Sequence, residues 1–373
     1  MKAAYKFRMY PTKQQEAQLD LTLETCRYLY NLALADRKNA YESEGISRSY
    51  EDQAAMLTVE RKAGNFNGIY AHCLQDVLRR LDKAFNAFFR RVKAGENPGY
   101  PRFKGQGWYK SFTYPDSEIG YKIEGSKLTL SKLGSIRIFK HREVEGKIKT
   151  CTIKKDKLGH WYAILVSEIL DPIPVEPKIA IGVDVGLKSL VALSTGETVQ
   201  YPKYHVEDEK KLSVAQRNLS KKKRGSGNRQ KAKAKVARLH HRIQNHRDEF
   251  LHQVSRKIVD SADVIVFENL NIQGMLKNHR LAKHIQDHSW GKLIQFTQSK
   301  AAKAGKVVEL VNAAYTSQKC SGCGKIVPKT LADRVHFCPD CGLEMDRDVN
   351  ASLNIVTLGL RGRAYRDTAI ADR

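Results

Sequence analysis

Long apolar runs are missing from this 373-residue sequence. The longest, such as IAIGVDVGL at 179–187, is far too short to span a bilayer and carries an aspartate. The opening, MKAAYKFRMYPTKQQ, has no apolar core of signal-peptide length. A soluble, cytoplasmic protein is therefore expected. Acid is scarce as well: 40 Asp and Glu stand against 65 Lys and Arg, a formal charge of +25. Such an excess favours polyphosphate partners, because each neutralised phosphate releases counterions, although it could also serve solubility alone. There is no Gly-x-x-x-x-Gly-Lys loop, no Gly-x-Ser-x-Gly elbow and no His-Glu-x-x-His. P-loop, serine-hydrolase and zincin chemistries thus lack their usual residues. No repeat of solenoid period occurs. The seven cysteines do not pair evenly, and Cys26, Cys73 and Cys151 stand alone, as small buried apolar residues do.

The length suits two or three domains. Residues 2–9 read as a strand ended by Tyr10-Pro11, and helical text follows from Thr12 to Lys93. The clearest helix, 74–92, carries an apolar stripe of Leu74, Val77, Leu78, Leu81, Phe85, Phe88 and Val92. After the Gly- and Pro-rich break at 95–105, short alternating segments predict a small antiparallel sheet or barrel, which the N-terminal strand could join. DPIPVEP, 171–177, is a linker. Strands within 179–193, 262–270 and 306–313 then alternate with helices, the pattern of an α/β domain. Between the first and second of these regions, 221–247 holds eleven Lys or Arg and no Asp or Glu. One stripe of that segment is apolar and helical in spacing, so a phosphate-facing helix is expected there.

Two groups carry chemistry. Cys320-x-x-Cys323 and Cys338-x-x-Cys341 are separated by fourteen residues. Two-residue gaps let each pair form a knuckle around a tetrahedral zinc, with Gly322 and Gly342 suited to the tight turns. Two disulfides are the alternative. The second group is acidic. Asp184 and Glu268 each close an apolar strand, and Asp348 opens a helical segment. Carboxylates so placed are costly to bury unless paired or bound to metal, and hard oxygen ligands suit Mg²⁺. Strand-end acids also serve as caps or solubilising groups, and residue order leaves Asp346 a competitor of Asp348.

At this point the motifs resemble a known family. YKFRMYPTKQQ, LRRLDKAFNAFFRRVKAGENPGYPRFKG, IGVDVGLKSLVALSTGE, VIVFENL, TSQKCSGCG, FCPDCG and DRDVNASLNI are similar to the TnpB family. These are RNA-guided DNA endonucleases of insertion sequences, related to type V CRISPR effectors. The resemblance implies a multidomain α/β plus β protein. A wedge β-barrel would comprise 1–12 and 101–177, with a helical recognition lobe, 13–100, inserted. A RuvC-type, RNase H-like nuclease would span 178–316, with a basic bridging helix at 221–260 and a lid at 272–287. A zinc ribbon, 317–343, a third nuclease motif, 344–357, and a tail, 358–373, would complete it.

The resemblance implies catalysis and Mg²⁺ (or Mn²⁺) binding by Asp184, Glu268 and Asp348, and structural Zn²⁺ on the four cysteines. Its partners would be a transposon-derived guide RNA and double-stranded DNA bearing a short flanking motif. Lys221, Lys222, Lys223, Arg224, Arg229, Lys231, Lys235, Arg238 and Arg242 are expected on the RNA backbone, and Gln75 and Arg79 at the flanking motif. The alternatives are a nucleic-acid-binding transposon regulator without cleavage and a guide-independent RuvC-like nuclease.

Overall fold

A computed structural model describes residues 1–202, 204–275, 289–312, 314–330 and 333–371. The chain divides into two compact units, Met1–Leu170 and Asp171–Arg373.

In the first unit, strand β1 (Lys2–Tyr10) alternates exposed and buried residues, as a strand with one wet face must. Pro11 ends it and Thr12 caps helix α1 (Lys13–Glu44). The Thr12 hydroxyl accepts the Gln15 N–H at 3.3 Å, while the Gln15 side chain accepts the Thr12 N–H at 3.0 Å. That reciprocal pair satisfies two amides which the helix leaves without partners. Helices α2 (Tyr50–Lys62) and α3 (Ala71–Lys93) follow. α3 buries Leu74, Val77, Leu78, Leu81 and Phe85 as its spacing predicts, but the stripe ends early, since Val92 is 49% exposed.

Six further strands complete this unit: β2 (Ser111–Tyr114), β3 (Tyr121–Glu124), β4 (Lys127–Leu130), β5 (Gly134–Phe139), β6 (Lys147–Lys155) and β7 (Trp161–Glu168). With β1 they form one antiparallel sheet in the order β2-β6-β7-β1-β5-β4-β3. The N-terminal strand does join it, at the centre, pairing with β7 and β5. No ladder links β2 to β3 among the described residues, so the hydrogen-bond circuit of a closed barrel is open at that seam. Helices and sheet share one buried cluster, reaching from Phe7 and Leu165 to Leu19, Leu74 and Leu78.

The second unit is a three-layered α/β structure. Its sheet contains β8 (Ala180–Asp184), β9 (Ser189–Leu193), β10 (Thr198–Gln200), β11 (Val264–Glu268) and β12 (Val307–Val311), in the order β10-β9-β8-β11-β12. β8, β11 and β12 run parallel, β9 pairs antiparallel to β8, and β10 pairs antiparallel to β9 and so runs with the other three. Helices α4 (Tyr204–Ser220) and α5 (Gly227–Ser261) precede β11, and a short turn of helix, α6 (Ile272–Met275), follows it. Next comes α7 (Trp290–Lys303), and the unit closes with α8 (Arg347–Ala371). Leu251, Val254 and Ile258 of α5 and Leu293 of α7 pack on Ile181, Val183, Ile265 and Phe267. Ile355 and Val356 of α8 pack on the opposite face, against Val264 and Val266.

Two expectations change here, and a third falls mostly outside the described residues. The basic helix begins at Gly227, with Ser226 as its cap, because Gly225 takes a left-handed φ of 83°. Lys221–Arg224 therefore form the turn between α4 and α5 and not the start of a helix from 221. The third nuclease motif and the expected tail share one helix as far as Ala371. Of the expected lid, 276–287 lies outside the described residues.

Candidate active site and cysteine cluster

Strand periodicity aims the first two carboxylates. On β8, Ile181 and Val183 face α5 and α7, so Gly182 and Asp184 face α8. On β11, Ile265 and Phe267 face α5 and α7, so Val264, Val266 and Glu268 face α8. The strands are parallel neighbours in the register Gly182↔Val266 and Val183↔Phe267. Asp184 and Glu268 thus end adjacent strands on the same face. α8 lies directly against that face: a Cβ on Gly182 would fall 1.9 Å from the Ser352 carbonyl oxygen, and one on Gly359 would meet Val266 at 2.5 Å. The N-terminal turn of α8 then brings the Asp348 carboxylate to 3.9 Å from the Cβ position of Gly186, just beyond Asp184.

The electrostatics follow from this convergence. Asp184 is partly accessible at its surface, yet its carboxylate is enclosed by protein. That burial, then repulsion from Glu268 and Asp348, pushes its pKa up to about 8 against the opposition of Arg347 and the Val185 N–H. Glu268 is also raised, chiefly by burial, while the Thr316 hydroxyl donates to its carboxylate and works the other way. Like charges crowded where water is excluded are the ordinary cause of such shifts. A cation between these groups would remove the repulsion.

The competition between Asp346 and Asp348 is decided by hydrogen bonds. Asp346 is exposed and caps α8, its Oδ1 accepting the Asp348 N–H at 2.8 Å and the Val349 N–H at 3.2 Å. Asp348 is the one beside Asp184, and Arg347 donates to its Oδ1 from Nε at 3.1 Å and Nη2 at 3.0 Å. Two buried asparagines on the same helix had no role in the sequence reading. Asn350 donates to the Lys319 carbonyl at 2.7 Å and accepts the Ser321 N–H at 3.0 Å. Asn354 donates to the carbonyls of Thr316 at 2.8 Å and Lys319 at 2.7 Å. Their i, i+4 spacing in NASLN was the available signal. Thr316 had none.

The four grouped cysteines meet. Their Sγ atoms all lie within 4.8 Å of one another, with Cys320–Cys341 and Cys323–Cys338 at 3.6 Å. A disulfide requires about 2.05 Å, so neither pair is bonded. Thiolates about 2.3 Å from one tetrahedral ion would stand roughly 3.8 Å apart, which these positions fit. Burial opposes ionisation of Cys320, but the Cys323 N–H, His336, the Gly322 N–H and Cys341 outweigh it and bring the thiol down to about 6. The left-handed turns fall at Gly324 (φ 81°) and Gly342 (φ 71°), so the first knuckle uses Gly324 where Gly322 was expected. β13 (Val335–Phe337) and β14 (Glu344–Asp346) pair beside the cluster and lead into α8.

The expected nucleic-acid contacts divide. Lys221, Lys222, Lys223, Arg224, Lys231, Lys235 and Arg238 are exposed. Arg229 turns inward, donating to the carbonyls of Leu219 at 3.1 Å and Lys222 at 2.9 Å, and so braces the α4–α5 turn. Arg242 is exposed as well, with its Nε 3.9 Å from the buried Asp208 of α4. In the first unit, Gln75 is half-buried, and the exposed Arg79 guanidinium sits 5.6 Å from the Tyr50 ring centre.

Comparison with known proteins gives concordant matches. The IS605 OrfB family model, described as "Probable transposase", matches residues 162–279, and a "Cas12f1-like, TNB domain" model matches 290–355. An OrfB model described as "Helix-turn-helix domain" matches 1–45, although those residues form one strand and one 32-residue helix. A protein of Streptomyces pristinaespiralis, named "Putative RNA-guided DNA endonuclease", is 35% identical, across 98% of this chain and 92% of its own length. InsQ of Escherichia coli strain K12, named likewise, is 31% identical over 95% and 92%. The CRISPR-associated endodeoxyribonuclease Cas12f1 of Sulfoacidibacillus thermotolerans is 26% identical over 54% of this chain and 51% of its own.

Proposed function

The chain belongs to the TnpB family, and from that premise we propose that its carboxylate cluster performs RuvC-type cleavage of double-stranded DNA selected by a guide RNA. It is a DNA endonuclease whose partners are guide RNA and target DNA. The observation that carries the catalytic assignment is the meeting of Asp184 and Glu268, at the ends of adjacent parallel strands, with Asp348 at the start of the helix packed on the same face. The strand order, with β9 running against the other four strands, supports an RNase H-like core. The first unit is read as the wedge sheet with its recognition helices.

Asp184, Glu268 and Asp348 would hold the divalent cations, Mg²⁺ or Mn²⁺. When bound, these supply an activated water and stabilise the leaving oxygen of the phosphodiester. The chain's own residues prepare that site. Gly182 lets α8 approach the sheet, Asp346 fixes the first turn of α8, and Arg347 holds the Asp348 carboxylate. The cysteine cluster is read as a structural zinc ribbon, because four thiolates complete a tetrahedral ion and leave no position for substrate. Target choice would rest on guide–DNA pairing, with the protein reading only the flanking motif.

The test compares Asp184→Ala, Asp348→Ala and Asp346→Ala in complexes carrying the RNA that copurifies with the protein. The first two should abolish cutting and retain RNA and DNA binding. Asp346→Ala should lose about 1 kcal/mol of stability with its cap and still cut. Wild-type cutting by Asp184→Ala would remove that residue from the site. Copurification of random cellular fragments, in place of one discrete RNA, would favour guide-independent action.

A further inference from the structure

We propose that Thr316 and Asn354 are positioning residues for Glu268, so that helix α8 sets two of the three carboxylates of the site. The proposal rests on the nuclease reading above and adds a part to it. Glu268 projects from the end of β11, where the peptide ladder fixes its backbone but leaves the carboxylate free to rotate. The Thr316 hydroxyl donates to Oε1 and removes that freedom. Both side chains are buried, Thr316 at 5% and Glu268 at 8% exposure, so water cannot readily substitute for the bond.

Thr316 itself lies in a turn before Cys320, outside any strand or helix, where the Tyr315 carbonyl accepts the N–H groups of Gln318 at 3.1 Å and Lys319 at 2.9 Å. Those bonds shape the turn, and side chains of α8 fix its place against the sheet. Asn354, 7% exposed, donates Nδ2 to the Thr316 carbonyl at 2.8 Å and to the Lys319 carbonyl at 2.7 Å. One turn earlier, the fully buried Asn350 grips the Lys319 carbonyl and the Ser321 N–H. α8 thus presents Asp348 directly and holds Glu268 through Asn354 and Thr316. A hydroxyl that served only to fill space could bond to any nearby carbonyl. This one ends on a carboxylate of the site.

The test uses the full-length chain with its copurified RNA, comparing Thr316→Val, Thr316→Ser and Asn354→Ala with wild type and Asp184→Ala. Single-turnover cutting of a matched duplex is read beside Mn²⁺ affinity, measured by calorimetry on the uncut complex, and Tm without divalent cation. Thr316→Val should lose roughly 10–100-fold in rate or Mn²⁺ affinity, the usual range for groups that orient ligands. Thr316→Ser, which keeps the hydroxyl, should recover most of that loss, and Asn354→Ala should behave like Thr316→Val. Wild-type cutting and Mn²⁺ affinity in Thr316→Val would overturn the proposal. So would loss in Thr316→Ser equal to that in Thr316→Val, or a loss that merely follows Tm. Undiminished cutting by Asp184→Ala would instead bring down the site assignment, and this proposal with it.

Discussion

Asp184 shows how much one residue's setting can change its chemistry. Burial and its acidic neighbours push its pKa up to about 8, against an ordinary value of 3.8. Between those values the folded chain keeps a proton that the unfolded chain has released. The folded state then binds more protons, so stability falls as pH rises through the window and levels off above it. Asp184→Asn removes the cost of charging the buried carboxyl. Melted without added Mg²⁺ or Mn²⁺, that variant should match wild type near pH 4 and exceed it near pH 8 by on the order of 3 °C. An equal difference at both pH values would mean that the carboxylate is not the source. The raised Glu268 adds a decline of the same sign, which this substitution leaves in place.

At the scale of elements, α8 is the organiser. It caps on Asp346, lays its backbone against Gly182, packs Ile355 on Val264 and Val266, and holds the chain that enters the cysteine cluster through Asn350 and Asn354. The contact at Gly182 leaves no space for a side chain. Gly182→Ala must push helix and strand apart, because the atoms it meets, at 1.9 Å on Ser352 and 2.8 Å on Val356, are backbone. About 1–3 kcal/mol of stability should go, the usual cost of overpacking, and cutting should fall further as Asp348 moves away from Asp184. Denaturant midpoints and cleavage rates measured together test this. A variant as stable as wild type would show that the helix can retreat freely.

At the scale of the whole molecule, the charge of +25 suits polyphosphate partners. Its densest expression is the α4–α5 turn, where Lys221, Lys222, Lys223 and Arg224 are all exposed on a turn braced by Arg229. Reversing those four to Glu should weaken RNA binding and reduce the slope of log affinity against log salt by about 3, since each phosphate contact contributes about 0.7–0.9. An unchanged slope would make the turn a solvated surface. Arg229→Ala should act differently, through loss of the turn's geometry.

Much of the site is legible in one dimension, for reasons that are local. The Cys-x-x-Cys pairs announce their cluster because ligand spacing is a property of short loops. Asp184 and Glu268 announce themselves because alternation along an apolar strand makes a terminal carboxylate conspicuous. The central place of β1 in a sheet whose other strands lie more than a hundred residues later was legible only as a possibility. Composition alone determined the basic character, and the combined motifs determined the family. Only the tertiary structure decided that Asp348 and not Asp346 faces the other acids, that Arg229 turns towards the protein, and that Thr316 reaches Glu268. Each of these depends on which group meets a side chain across space. Spacing along the chain sets the face on which a residue emerges, but the partner found there is set by the packing of distant segments.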